Sequence, residues 1–267
     1  MREKITKDMI ADRITGFVWK ADQGLWRAPL VGFADAKHQS IRNLRKTAHP
    51  LHQLPEEVLP QAGILVVYFI PFQKEVPQSN REEGLASPLW ARAYEETNAM
   101  MGQLNAHLLA YLRGKGCRAE TSPEADIFYR DKVTSHWSFR HLAYAAGLGT
   151  FGLNNMLITE AGCAGRINAV VTDLDLEPDR PRKEEACLYK RKGTCGVCVS
   201  KCPSQALTVG GFDRYRCYDR CLENAAVYRE FGSSYASGLG PEGEVTAPGA
   251  EVCGKCLIGL PCTFRRP

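Results

Sequence analysis

The final stretch of the chain is dominated by thiols. Of eleven cysteines in 267 residues, nine lie in the last 81: Cys187, Cys195, Cys198, Cys202, Cys217, Cys221, Cys253, Cys256 and Cys262. A chain of this length buries enough apolar surface to fold without disulfide staples, so thiols this dense point to metal binding. The run CGVCVSKCP spaces Cys195, Cys198 and Cys202 as C-x2-C-x3-C-P, the second half of the bacterial ferredoxin pattern. The two-residue gap lets one tight turn aim two thiolates at one iron-sulfur cluster. The three-residue step turns the third thiolate toward a neighbouring cluster. Cys187 takes the place of the pattern's first cysteine, with seven residues before Cys195. Cys253 and Cys256 repeat the C-x2-C step, and Cys262 follows after five residues, preceded by Pro261. Two cubane clusters need eight thiolates and nine are present, which leaves one of Cys217 and Cys221 spare. C-x2-C pairs also serve structural zinc, but a zinc ribbon has no use for the third Cys-Pro or for the extra thiols. Cys117 and Cys163 have no evident base beside them in sequence and read as buried thiols without a catalytic role.

The rest of the chain reads as mixed α and β. Gly63 to Phe72 (GILVVYFIPF) is apolar on both faces and stopped by a proline, the mark of a buried central strand. At ten residues it is far short of the roughly 20 that a membrane span requires. Ser87-Pro88 opens a long helix whose Met101, Leu104, Leu108, Tyr111 and Leu112 repeat at helical spacing up to Gly114. Ile41 to Pro60 reads as a short helix and a Pro-punctuated loop. Ser135 is placed to cap a second helix running to Ala146, with strands at Met156–Thr159 and Ile167–Thr172. Glu177 to Lys192 is a charged connector dividing the chain into domains 1–180 and 181–267, and Gly232 to Ala250 reads as a loop within the second. Charges scattered through the first twenty residues leave no uninterrupted apolar signal core, so a cytoplasmic location is expected. A net charge of +4 is too mild to argue for nucleic acid. Lys190 to Lys192 and the Arg265-Arg266 pair lack the interleaved aromatics of a nucleic-acid module. AGLGTFG at Ala146 to Gly152 matches G-x-G-x-x-G but follows a predicted helix, so it reads as a helix stop and turn and not as a dinucleotide fingerprint.

Four stretches resemble the cobalamin-dependent epoxyqueuosine reductases and, more remotely, the reductive dehalogenases. HLAYAAGLGTFGLNNMLIT is similar to the segment that family members lay against the corrinoid ring. LPEEVLPQAGILVVYFIPF resembles the leucine-proline turn and apolar strand near the family's N-terminus. CGVCVSKCPSQAL resembles its first ferredoxin motif, and RCYDRC followed by VCGKC its isolated cysteine and second motif. The resemblance implies an α/β (α+β) nitroreductase-like sandwich, the cobalamin-binding domain, with an appended ferredoxin-like double [4Fe-4S] domain. It assigns Cys187, Cys195, Cys198 and Cys262 to one cluster and Cys202, Cys217, Cys253 and Cys256 to the other, choosing Cys217 by its place after Arg216. Gly147, Gly149, Phe151, Gly152, Leu153, Asn154, Asn155, Met156 and Leu157 would line the corrinoid.

The family's proton-donating aspartate has no clean equivalent in YRDKVTSHWSFR. Asp131 lies two positions off, and His136 or Tyr129 could serve instead. Members that act on tRNA carry a helical extension beyond the second motif, whereas this chain stops five residues after Cys262, so tRNA is not the expected substrate. No twin-arginine signal or D-x-H-x-x-G cobalt-histidine pattern is present in the sequence. The reading is therefore an iron-sulfur oxidoreductase that takes low-potential electrons from a donor such as ferredoxin or flavodoxin. A corrinoid would reduce a small organic substrate, without a protein histidine on cobalt. The alternatives are an electron-transfer protein serving a corrinoid or flavin partner, and flavin in place of cobalamin in the same pocket.

Overall fold

The computed structural model describes residues 4–234 and 249–267. Most of the Gly232–Ala250 loop expected from sequence thus lies outside the described residues. In chain order the elements are α1 (Lys7–Ala21), β1 (Leu30–Asp35), α2 (Gln39–Arg42), α3 (Leu44–Thr47), α4 (Pro55–Val58), β2 (Ile64–Pro71), α5 (Glu75–Ser79) and α6 (Pro88–Gly114). There follow β3 (Ala119–Glu120), α7 (Phe139–Ala145), β4 (Gly149–Phe151), β5 (Leu157–Thr159), β6 (Gly165–Thr172), α8 (Leu188–Lys192), α9 (Val197–Ser200) and α10 (Arg214–Val227).

All eight residues of β2 are buried, as its unbroken apolar run requires. The strand sits inside an antiparallel sheet of order β1-β2-β6-β3. Alternation sends Ile64, Val66, Tyr68 and Ile70 into a core with Ile10 and Ile14 of α1 and Leu104 and Leu108 of α6. Leu65, Val67 and Phe69 face the opposite core, with Ile41, Trp137, Leu142 and Ala145. Helices on both faces explain why neither side of the strand carries polar residues.

The long helix α6 starts where its capping signal places it: the Ser87 hydroxyl accepts the Trp90 N–H at 3.1 Å, with Pro88 in the first turn. The expected cap at Ser135 is displaced. α7 begins at Phe139, and the Ser135 hydroxyl accepts the N–H of Trp137 at 3.2 Å, closing a local turn that competes with the helix. Where a short helix followed by a Pro-punctuated loop is expected over Ile41–Pro60, three one-turn helices form, α2, α3 and α4, with α2 beginning just upstream at Gln39.

The Glu177–Lys192 connector is strapped to the body. Asp179 accepts the Phe33 N–H at 2.8 Å and pairs with Lys7 at 2.6 Å, and Arg182 donates to the Gly147 carbonyl at 2.8 Å. Its last residues form α8, whose Lys190, Arg191 and Lys192 suit the negative end of a helix. Ala186 and Cys187 just before α8, and beyond it Tyr228, Ala250, Val252, Leu257 and Ile258, join the same core as α6. Among the described residues no helix is long and apolar enough to cross a membrane.

Candidate functional site

The cysteines of the C-terminal part gather as two groups, Cys187, Cys195, Cys198 and Cys262 in one and Cys202, Cys217, Cys221, Cys253 and Cys256 in the other. Burial, then the neighbouring Cys262, Cys187 and Cys195 thiols, push the Cys198 thiol up to about 11. The same four cysteines line one small cavity with Leu153, Leu188, Leu260 and Pro261. Burial, then Cys253, Cys217, Cys202 and Cys198, raise the Cys256 thiol. The physical cause is shared: clustered acids in an apolar setting cannot ionise together unless a cation lies among them. Grouped thiols in such surroundings are a donor set that a cationic iron-sulfide core takes as thiolates. Beside the second group stand two basic side chains. The Lys255 ammonium is buried and held by the Asn80 carbonyl at 3.2 Å and the Glu82 carbonyl at 2.6 Å, while the Nε of Arg220 has no hydrogen-bond partner among the described residues. Among the described residues, no set of three or more His, Cys, Asp or Glu lies close enough together to hold a metal ion as the side chains stand.

Cys217 and Cys221 lie one turn apart on α10, and the Cys221 thiol, pushed up by its hydrogen bond to Cys217 and by burial, also senses Cys253. Geometry therefore keeps both beside the second group. Cys163, read from sequence as an incidental buried thiol, is buried but not isolated. Its Sγ lies 4.0 Å from Cys262 Sγ, its N–H donates to the Cys262 carbonyl at 2.9 Å, and it also lines the large cleft described next.

That cleft, about 1720 Å³, lies between α6, the 125–141 segment, the β4–β5 pair, β6 and the 208–212 turn. It exceeds the roughly 300–1,000 Å³ of pockets for drug-sized ligands, which leaves room for a large cofactor or substrate. Phe151, Gly152, Leu153, Asn155, Met156 and Leu157 line it. Gly147, Gly149 and Asn154 do not. Gly147 adopts φ +70° at the end of α7, and a Cβ there would sit 2.5 Å from the Arg180 carbonyl; one on Gly149 would strike the Ile158 carbonyl across the β4–β5 pair. Asn154 instead fastens the turn to the cysteine region, its amide donating to the Cys256 carbonyl at 2.9 Å. These residues lack side-chain bulk, or spend it, to let protein approach protein.

The acid candidates fall off the cleft lining. Asp131 is an exposed carboxylate 3.9 Å from Lys132. His136 is sandwiched between Tyr129 and His49, with ring centroids 4.1 and 4.8 Å away, and its Nδ1 lies 3.3 Å from Glu124, which also accepts from the Tyr129 hydroxyl at 3.1 Å. Packing turns these rings toward the 49–53 loop while Ala125, Asp126, Phe128 and Thr134 of the same segment face the cleft.

Other polar groups do line it. Ser138 and His141 bond to each other at 2.7 Å, and burial, then Arg140, pulls His141 down to about 4, so its imidazole is neutral. On the opposite wall stand Glu95 and Asn98 of α6 and Arg166 of β6, the last stacked 4.1 Å over Tyr94 and bonded to Asn98. A helix-face glutamate carries no sequence mark of such a position; the one available signal is a charge interrupting the apolar stripe of α6.

The mixed α/β body with its cleft set against grouped cysteines has the fold of the epoxyqueuosine reductases. Over 95% of its length the chain superposes on the Bacillus subtilis epoxyqueuosine reductase, solved with its catalytic loop swung out, at TM-score 0.52 and 18% identity. The Streptococcus thermophilus enzyme gives 0.54 at 16% identity, and an epoxyqueuosine reductase bound to a tRNA-Tyr stem loop gives 0.53 at 18%, again over 95% of this chain. In each case the chain covers 66% of the longer protein. In sequence, 68 residues are 44% identical to the tetrachloroethene reductive dehalogenases of Desulfitobacterium hafniense and Dehalobacter restrictus, which is 25% of this chain and 12% of theirs. No family model matches.

Proposed function

We propose that the protein is a cobalamin-dependent iron-sulfur reductase acting on a small organic substrate. The observation that supports it best is the gathering of nine cysteines into two groups, the first of which adjoins the cleft where Cys262 meets the cleft-lining Cys163. Cys187, Cys195, Cys198 and Cys262 would hold the cluster nearer the cleft, and Cys202, Cys217, Cys253 and Cys256 the outer one. Residues 181–267 thus act as an electron-carrying ferredoxin-like unit against a nitroreductase-like body, fed by a donor such as ferredoxin or flavodoxin in a reducing compartment. When bound, the clusters supply low-potential electrons and the corrinoid a strongly reducing centre.

The chain's own residues hold, shape and shield. Phe151 to Leu157 form the cleft wall beside the first quartet, Phe139 and Phe69 exclude water, and Arg140 braces the turn through the Asn155 carbonyl at 2.8 Å. The Tyr129–His136–Glu124 group and Asp131 supply protons to this cleft only if their segment moves, which makes them candidates for a closed state. Anaerobic reconstitution with iron and sulfide, followed by hydroxocobalamin and desalting, tests the reading: about eight irons and one cobalamin per chain are expected. Eight irons without retained cobalamin would replace it with an electron-transfer protein.

A further inference from the structure

One wall of the cleft is gripped by groups that stand beside the outer cysteines. Arg130, in the 129–134 turn, forms an ion pair with Glu251, its Nη2 2.9 Å from Oε1, with 12% of the Arg130 side chain and 3% of the Glu251 side chain exposed. The Tyr218 hydroxyl joins them. It accepts the Arg130 Nε–H at 3.0 Å and donates to the same Glu251 oxygen at 3.2 Å. Its ring also packs against Phe128, which lines the cleft, with centroids 5.3 Å apart. Tyr218 follows Cys217 on α10, and Glu251 lies two residues before Cys253. Both partners of Arg130 are thus tied by a peptide unit or two to cysteines of the outer group.

The turn so held is strained. Val133, another residue of the cleft lining, has φ +47°, a left-handed conformation that a β-branched side chain resists. Strain of this kind persists only where the surroundings over-determine it. Inside the turn the restraint is local: the Tyr129 N–H donates to the Thr134 carbonyl at 2.8 Å, and the Thr134 N–H to the Tyr129 carbonyl at 3.2 Å. Asp131 and Lys132, at the tip, are exposed and 3.9 Å apart. The bonds that tie this tip to distant parts of the chain are those of Arg130, to partners 88 and 121 residues away.

We propose that Arg130 is a positioning residue that couples the outer cysteine group to the cleft, holding the 129–134 turn in its strained form through Glu251 and Tyr218. The inference rests on the reductase reading for what fills those cysteines. Cys253, and Cys217 or Cys221, fix the backbone that carries Glu251 and Tyr218 once they hold iron, and the socket for the guanidinium is then complete. With those cysteines empty the same backbone is less restrained, the socket loosens, and the strain at Val133 favours departure of Phe128 and Val133 from their places in the wall. Arginine suits the task because its planar fork meets a carboxylate and a hydroxyl at once, which a single ammonium does not. The coupling is reciprocal, so a turn held in place also favours iron on the outer cysteines.

Hydrogen–deuterium exchange of the full chain, before and after anaerobic reconstitution with iron and sulfide, tests this at the Tyr129 and Thr134 amides. The β2 amides serve as the reference for global opening. In wild type, reconstitution should slow exchange in the turn about tenfold, inside the usual range for coupled sites. Glu251→Gln, which keeps the shape and removes the charge, should speed exchange in the turn without iron and lose most of the iron effect. Arg130→Lys should do the same, and is the variant to read if β2 exchange also rises in Glu251→Gln. A buried ion pair with a purely structural role would speed exchange equally with and without iron. Iron uptake that leaves the wild-type turn unchanged, or an iron effect of wild-type size in the variants, overturns the coupling. A wild type that takes up no iron overturns the reductase reading instead. The iron-free comparison then still judges the clamp, because equal exchange in wild type and variants overturns it too.

Discussion

His52 shows how one buried ring ties stability to pH. Its Nδ1 donates to the Gln53 carbonyl at 2.6 Å and its Nε2 accepts the Ser138 N–H at 2.9 Å, so the neutral tautomer satisfies both nitrogens. Protonation would break the second bond inside the core, and burial pulls the ring from 6.5 down to about 4. Above 6.5 neither folded nor unfolded chain is charged here. As pH falls from there to about 4, only the unfolded chain gains the proton, so the fold loses about 3 kcal/mol from this residue. Denaturant titrations at pH 7 and pH 4 should show that loss reduced in His52→Gln; an unaltered difference would sink the argument. His141 acts in the same window with the same sign. Gly149→Ala carries a different risk, because its Cβ meets the Ile158 backbone and not a movable side chain. A cost of about 1–3 kcal/mol is expected, read as a lowered denaturation midpoint. The glycine pattern was legible in the sequence, but its partner was not: the close approach is to a neighbouring strand.

Helices α6 and α10 carry two contrasting lessons at the scale of the element. α6 was readable from Ser87 to Gly114, since cap, proline and periodic apolar residues all lie within it. Ser87→Ala should cost about 1 kcal/mol, measured by thermal or chemical denaturation, because the Trp90 N–H loses its acceptor. In α10, the four-residue step from Cys217 to Cys221 was legible, but a helix presents both thiols on one side, so spacing does not choose a ligand. If Cys217 serves the outer cluster, Cys217→Ala should retain roughly half the iron on reconstitution, and Cys221→Ala nearly all of it. The reverse pattern would exchange their roles.

At the scale of the whole molecule, the cleft exists only as a relation among distant segments. Its walls come from α6, the 125–141 segment, the β4–β5 pair, β6 and the 208–212 turn. A ligand bound to the folded form alone raises stability by about 2.7 kcal/mol at a hundredfold excess over Kd. Hydroxocobalamin should therefore raise the Tm of the reconstituted protein. A rise with flavin mononucleotide and none with hydroxocobalamin would transfer the cleft to a flavin.

What the sequence determined by itself was whatever depends on neighbours along the chain. The C-x2-C-x3-C-P step, the two-faced apolar run of β2 and the capped stripe of α6 are all local patterns. The tertiary structure alone decided which residues meet across the cleft. Glu95 is one charge on an apolar helix until Ser234, 139 residues away, takes up one of its oxygens. Cys163 is a lone thiol until Cys262 is folded against it. Asp131, in a promising stretch, is turned to solvent while its segment packs His136 between two other rings. Burial and pairing are set by long-range packing, and those two quantities govern which polar groups are desolvated and which face the cleft.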